Sequence, residues 1–258
     1  KDLEQPTSFP DLTIRDFVKA HRLLADALGI DKIDVLIGAS LGGQQAIDWA
    51  IDEPARIRQL ILIATNAVHS PYGIAFNEAQ RLALKADLTY GLKNGGQEGL
   101  KAARAIAMLS YRSYTDFSLK QAESSPRASN FRAASYVRYQ GEKFINRFNP
   151  YSYWLLTNAM DSHDVRRGRT GTIEEILGRV TARTLVVGID SDALFPVSEQ
   201  HFLATHIPFA EFGLIESPHG HDSFLIDYDK LHKLLREFLY NDFKGFRQTQ
   251  LKRKTTLN

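Results

Sequence analysis

A chain of 258 residues can hold one large domain or two small ones, and its 43% hydrophobic and 24% charged residues suit a folded protein rather than a disordered or fibrous one. The absence of cysteine excludes disulfide frameworks, thiolate zinc sites and cysteine nucleophiles together. The net charge of +2 is unevenly placed: Lys244, Arg247, Lys252, Arg253 and Lys254 leave 27 basic against 30 acidic residues elsewhere, a mildly acidic body that suits neither nucleic acid nor an anionic membrane.

Residues Lys1–Pro10 contain no signal-peptide core, and no run reaches the ~18 apolar residues of a membrane span. A cytoplasmic protein is expected. The first element is a helix over Thr13–Leu28, with Ile14, Phe17, Val18, Leu24, Ala25 and Leu28 on one face. Thr13 and Asp16 resemble a capping box, and Gly29 supplies the stop. Lys32–Ile37 then reads as a short buried strand, Gly38–Gly43 as a small-residue turn, Gln44–Ile51 as a helix closed by Pro54, and Arg58–Ala64 as another apolar strand. Helix and strand alternating at this spacing imply parallel crossovers and an α/β sheet covered on both faces.

From about Pro71 to Arg167 the pattern changes to helix-formers and aromatic residues without a convincing strand, which predicts a helical cap over 71–167. Alternation resumes with a helix at Ile173–Leu177, a strand at Arg183–Gly188, a helix from Val197 to about His206, a strand near Phe212–Ile215 and a last helix at Asp229–Leu239. The expected organisation is an α/β core from residues 1–70 and 168–243, the cap between, and a basic, solvated tail over 244–258.

The segment Val35-Leu-Ile-Gly-Ala-Ser40-Leu-Gly-Gly43 contains G-x-S-x-G with a strand before it and a helix after it. Such a turn strains the serine backbone and lifts its hydroxyl above the sheet, while the N–H of Leu41 points to where an oxyanion would form. A serine needs a base and an orienting acid, which in this topology follow later strands in the order Ser, Asp, His. Past the Arg183–Gly188 strand lie Asp190 and Asp192; Asp192, beside Ala-Leu-Phe-Pro, is the better buried choice. Past the last strand lie His219 and His221, and Gly220 with Phe224-Leu225-Ile226 favours His221. His221 would accept the Ser40 proton and Asp192 would fix its tautomer. No metal-ligand spacing occurs among the other histidines, so no metal is expected.

The whole pattern resembles the homoserine O-acetyltransferases of the α/β-hydrolase superfamily. The resemblance rests on Gly38-Ala-Ser40-Leu-Gly-Gly-Gln-Gln-Ala-Ile-Asp-Trp-Ala50, Met108-Leu-Ser-Tyr-Arg112-Ser, Tyr139 to Phe148 with Tyr151-Ser-Tyr, Asp192-Ala-Leu-Phe-Pro196 and Gly220-His221-Asp222-Ser-Phe-Leu225. It implies a two-step transfer in which Ser40 takes acetyl from acetyl-CoA, a co-substrate rather than a resident cofactor, and passes it to the hydroxyl of L-homoserine. It further implies that Arg112 grips the amino acid's carboxylate, that Asp222 holds its ammonium, and that cap helices pair the chain into a homodimer. The chain departs from the family at Leu41 and Gln44. The resemblance also implies strands before the Thr13 helix, with a loop donating the second oxyanion N–H. Residues 1–12 supply neither, so a half-built oxyanion hole and an exposed sheet edge are expected. Succinyl donors, serine as acceptor, an esterase using the same three residues, and an inert binding protein are the alternatives.

Overall fold

Parallel pairing and a two-residue apolar period set the frame. In the computed structural model, which describes residues 9–240, β1 (Ile33–Ala39), β2 (Ile57–Ile63), β3 (Arg183–Ile189) and β4 (Ala210–Ile215) form one parallel sheet in the order β1-β2-β3-β4. Leu60 and Leu62 of β2 enter one core while Ile61 and Ile63 enter the other, as a strand buried on both sides requires. The first core is covered by α1 (Ile14–Ala27), α2 (Leu41–Asp52), α8 (Ile173–Leu177) and α9 (Val197–His206). The second packs against Leu231, Leu234, Leu235 and Phe238 of the last helix, residues 228–240. The expected α/β fold with a mostly parallel sheet is present.

The local signals act as their chemistry suggests. Thr13 donates both its backbone N–H (2.9 Å) and its hydroxyl (2.6 Å) to the Asp16 carboxylate at the start of α1. Two boundaries differ from the sequence reading. The glycines at 42 and 43 read as a turn, yet α2 begins at Leu41, immediately after Ser40. The strand β1, expected to be buried, exposes Val35 (37%) and Ile37 (52%), because β2 is its one sheet neighbour among the described residues. The open edge expected for this chain is therefore present there.

Between β2 and α8 come five helices and no strand: α3 (Pro71–Ala86), α4 (Gln97–Tyr111), α5 (Tyr114–Gln121), α6 (Arg132–Ile145) and α7 (Pro150–Asp161). Ser70, Ser113 and Asn149 cap α3, α5 and α7 by accepting first-turn N–H bonds. These helices own a separate core of Leu84, Leu100, Ala103, Phe144 and Tyr153. Their two stems meet at an antiparallel bridge between Val68 and Asp164, flanked by His69 N–H to the His163 carbonyl (2.9 Å) and Val165 N–H to the Ala67 carbonyl (3.0 Å). No helix among the described residues is long and apolar enough to cross a membrane. Residues 244–258, read above as a basic tail, lie outside the described residues.

Beyond the bridge, Arg169 ties the returning stem to α2. Its buried guanidinium meets Asp48 at 2.6 Å and Asp52 at 2.7 Å. Burial pushes the Asp48 carboxyl up in spite of this partner. Removing the cation alone would strand a buried charge. Arg169→Met is therefore expected to lower unfolding stability by about 3–5 kcal/mol, with part of the loss recovered by adding Asp48→Asn, as read from urea midpoints of the single and double variants.

Candidate active site

The sheet register brings three loops to one rim. Ser40 follows the carboxyl end of β1, Asp192 lies three residues past β3, and His221 lies six past β4. Ser40 has φ +52° and ψ −122°, a conformation that a non-glycine residue keeps only under constraint. Its N–H donates to the Ile63 carbonyl (2.9 Å) and its carbonyl accepts from the Thr65 hydroxyl (2.9 Å). The steric need for glycine falls on Gly38, where a Cβ would stand 2.1 Å from the Gly42 carbonyl oxygen, and on Gly43, where it would stand 2.5 Å from the Thr65 side chain. Gly42, the last glycine of the motif, has open space at that position.

The three side chains form one hydrogen-bonded line. Ser40 Oγ lies 2.9 Å from His221 Nε2, and His221 Nδ1 lies 2.7 Å from Asp192 Oδ2. Asp192 and His221 are buried, and the second Asp192 oxygen accepts the N–H groups of Leu194 (2.9 Å) and Phe195 (3.0 Å). The imidazole is stacked on Phe195, with ring centroids 5.2 Å apart, and meets the edge of Phe224. The two competing residues serve the scaffold instead. Asp190 accepts the Ser217 N–H at 2.8 Å, joining the Asp loop to the His loop, and His219 pairs with Asp116 of α5 at 2.8 Å. Leu41 is the first residue of α2, so its N–H has no acceptor within the helix and is free for an anion near Ser40.

A cavity of about 410 Å³ lies away from this rim, between α1, β1 and α2. The one that contains Ser40 and Leu41 is smaller, about 250 Å³, and is walled by α3, α4, α6 and α7. Phe76, Tyr111, Phe144, Phe148, Tyr153 and Met160 make it largely apolar. The one cation on its wall is Arg104, whose guanidinium lies over the rings of Phe144 (4.7 Å) and Tyr111 (5.3 Å). Arg104 forms no ion pair among the described residues. Arg112 and Asp222, the two residues that the resemblance assigned to substrate, do not line this cavity. They pair with each other at 3.4 Å. Arg112 is the C-cap of α4, whereas Arg104 lies two turns back on the face turned to the cavity. Nothing in the sequence separated Arg104 from the other cap arginines. Among the described residues no three His, Asp or Glu side chains converge as a metal cage.

The alpha/beta hydrolase fold model matches residues 2–228. The chain is 43% identical over 232 residues to the homoserine O-acetyltransferase of Cyclobacterium marinum, covering 89% of this chain and 66% of that protein. It is 40% identical over 239 residues to that of Nostoc punctiforme, covering 89% and 67%. The chain belongs to the homoserine O-acetyltransferase family. It spans about two thirds of the length of these curated relatives. Among solved structures, a homoserine O-acetyltransferase from Staphylococcus aureus superimposes with a TM-score of 0.76 at 31% identity, covering 90% of this chain and 66% of that one. The acetyl esterase MekB superimposes with 0.81 at 26%, covering 93% and 71%.

Membership of an enzyme family that acts on small molecules fits an enclosed site with polar groups at its base. Beneath it lies a polar layer that sequence reading missed. His69, on the cavity wall, and His163, which donates to the Asn66 carbonyl (3.0 Å), are both held by burial at about 4. In the unfolded chain they would bind protons near 6.5, so the folded state binds fewer protons between those values. Their contribution to stability is complete above about 6.5 and is lost as pH falls toward 4. Glu199, pushed up to about 7 by burial, acts in the opposite sense over much of that window, but one group does not offset two. The melting temperature is therefore expected to fall from about pH 6.5 to pH 4, and His163→Gln is expected to remove most of that fall, because His69 and Glu199 then nearly cancel. An unchanged slope in the variant would show that His163 is not one of the groups responsible.

Proposed function

We propose that the protein is an acyl-CoA-dependent O-acyltransferase that moves acetyl from acetyl-CoA to the hydroxyl of L-homoserine through an acyl-Ser40 intermediate. The observation that carries this is the line Asp192–His221–Ser40 opening into a cavity whose single cation, Arg104, has no carboxylate partner. In the first half-reaction His221 Nε2 takes the Ser40 proton as Oγ attacks the thioester, and Asp192 stabilises the imidazolium. The Leu41 N–H and the N-terminus of α2 face the developing oxyanion. His221 then returns the proton to the departing CoA thiolate. In the second half-reaction His221 takes the proton of the homoserine hydroxyl, whose oxygen attacks the acyl carbon, and Ser40 leaves reprotonated.

The positions of the arginines favour a second candidate for the acceptor's carboxylate. Arg112 already has Asp222, whereas Arg104 presents a planar fork with no anion to hold. The carboxylate goes to Arg104; the ammonium goes to Asp222 in competition with Arg112. The relatives named for homoserine acetylation agree with this chemistry. A homodimer through the cap helices is supported by the exposed Leu88, Leu92, Leu109, Tyr114 and Leu119, and the use of acyl-CoA suits the cytoplasm.

A second reading is hydrolysis, favoured by the likeness to an acetyl esterase over the same core. Both readings use one nucleophile and differ in whether water reaches the acyl-enzyme. With acetyl-CoA and homoserine supplied to the protein, O-acetylhomoserine is expected to exceed free acetate; free acetate as the main product would favour the esterase. Ser40→Ala is expected to abolish labelling by an organophosphonate probe. Arg104→Gln should leave that labelling intact and raise the KM for homoserine about 10–100-fold, the value of one charged hydrogen-bonded contact, whereas Arg112→Gln should change it less. The reverse order would return the carboxylate to Arg112.

A further inference from the structure

Behind the cavity wall, side chains that the triad does not use form one continuous hydrogen-bonded chain. The Asn66 amide bridges the Glu199 carboxyl (3.0 Å) and the Gln44 amide (3.1 Å). The same end of Gln44 reaches His69 Nδ1 at 3.3 Å, and His69 Nε2 meets the Asn77 amide at 3.3 Å. Asn77 ends the chain at Asp161 (2.7 Å), whose other oxygen pairs with Arg81 at 2.5 Å. Gln44, Asn66, His69 and Asn77 are all buried. The chain touches the reaction site twice. His69 forms part of the cavity wall, and Gln44 lies one helical turn after Ser40, donating its backbone N–H to the Ser40 carbonyl at 3.2 Å.

Counting donors and acceptors shows that this chain has two directions. The ends of each amide can exchange without moving its heavy atoms, so the groups at the two termini decide. Arg81 supplies a counter-charge at Asp161, so Asn77 donates there, and its second N–H faces His69 Nε2. A neutral imidazole has one donor and one acceptor. If Nε2 accepts, Nδ1 carries the hydrogen and needs the oxygen of Gln44. That oxygen also receives the Asn66 N–H, which turns the Asn66 oxygen toward Glu199. The last contact then has a hydrogen only when Glu199 is protonated. When Glu199 is ionised the order reverses: Asn66 donates to Glu199, Gln44 donates to Asn66 and to Nδ1, and the ring hydrogen moves to Nε2, which gives up the Asn77 N–H and bonds the Gly73 backbone instead. The outer atom of Gln44 lacks a partner in either direction and does not choose between them.

The surroundings of Glu199 make both forms accessible. No cation pairs with it among the described residues. The charged group that faces it is Asp192, from the loop after β3, while His69 and His163 reach it through Asn66. Burial and Asp192 favour the neutral acid, and the Asn66 amide and the first turn of α9 favour the anion. We propose that Glu199, in its protonated form, is a positioning residue that donates to Asn66 and through Gln44 fixes the tautomer of His69 in the cavity wall. Loss of that proton reverses the chain and sets a second negative charge beside Asp192.

Two measurements test this, and the first is independent of the acyl-transfer reading. Nitrogen-15 resonances of His69 in the full chain are expected to report the Nδ1-protonated ring at about pH 6 and the Nε2-protonated ring at about pH 8, on either side of the Glu199 titration near 7. Glu199→Gln, whose amide can donate to Asn66 as the acid does, should hold the Nδ1-protonated ring at both values. One unchanging tautomer in the parent protein, or a variant that switches as the parent does, would overturn the proposal. The second measurement rests on Ser40 being the nucleophile. An anionic Glu199 sets a second charge beside Asp192, so the rate of organophosphonate labelling in the parent is expected to change along a limb centred on the Glu199 titration near 7, a limb that Glu199→Gln should lack. The plateau rate should stay within about threefold of the parent. No labelling of the parent would count against the acyl-enzyme reading and leave the tautomer result standing. Labelling with identical limbs in both proteins would count against Glu199.

Discussion

The structure depends on the backbone of Ser40. A residue with a β-carbon held at φ +52° and ψ −122° costs on the order of 1–3 kcal/mol, which its surroundings must offset. The Ile63 carbonyl and the Thr65 hydroxyl hold the two sides of the residue, and both groups belong to β2 or the segment that leaves it. The strain therefore persists only while β1 and β2 stay in register and α2 lies close over Thr65, which is why Gly43 cannot carry a side chain there. The same geometry turns the first N–H groups of α2 toward the space above Ser40. Nucleophile and anion site are two consequences of one turn.

The imidazole is placed by a different set of contacts, and these come from the cap as much as from the sheet. Gly220, at φ +74°, lies so close to the end of α4 that a β-carbon would stand 2.5 Å from the Ser113 nitrogen. The Ser113 hydroxyl donates to the Pro218 carbonyl, and Ser191 bonds both the Ser217 carbonyl and, at 3.0 Å, the Gly220 N–H. His219 is held by Asp116, the neighbour of a Lys120 ammonium. The turn that bears His221 is thus clamped between the Asp192 loop and the first residues of α5. Movement of the α4–α5 junction would move the base relative to Ser40, so the cavity wall and the triad cannot adjust independently.

How much of this was legible follows from which interactions are local. Strands and crossover helices were readable because Leu60, Ile61, Leu62 and Ile63 alternate between two cores and leave an unbroken apolar run. The three site residues were readable because each sits in a loop immediately after a strand, where topology limits the choice to one or two side chains. The exposure of β1 was not readable from its own residues, since Val35 and Ile37 are as apolar as the buried residues of β2 and differ only in what lies beside them. Arg112 stood out by its position in a motif, but cavity lining is decided by helix rotation and packing, and these select Arg104. Glu199, Asn66, Gln44 and His69 come from four separate segments with no shared spacing, so their junction could not be seen before the fold was assembled.

The shape and polarity of the cavity bear on why an acyl-serine formed here would be passed to an alcohol rather than to water. Water is small, present everywhere and equally able to give a proton to His221, so selectivity must come from exclusion and from holding the acceptor nearby. Phe144, Phe148, Tyr153 and Met160 offer a bound water few hydrogen-bond partners, and burial raises the phenols of Tyr111 and Tyr153 so that both stay neutral. The Tyr153 hydroxyl is already engaged by Gln80. An amino acid brings its own charge, and under the proposed assignment Arg104 would anchor it, a gain that water cannot match. The discrimination would then lie in the contrast between an apolar wall and one guanidinium without a carboxylate partner, both supplied by helices inserted between β2 and β3, while the loops at the sheet's rim supply the nucleophile, the base and the acid.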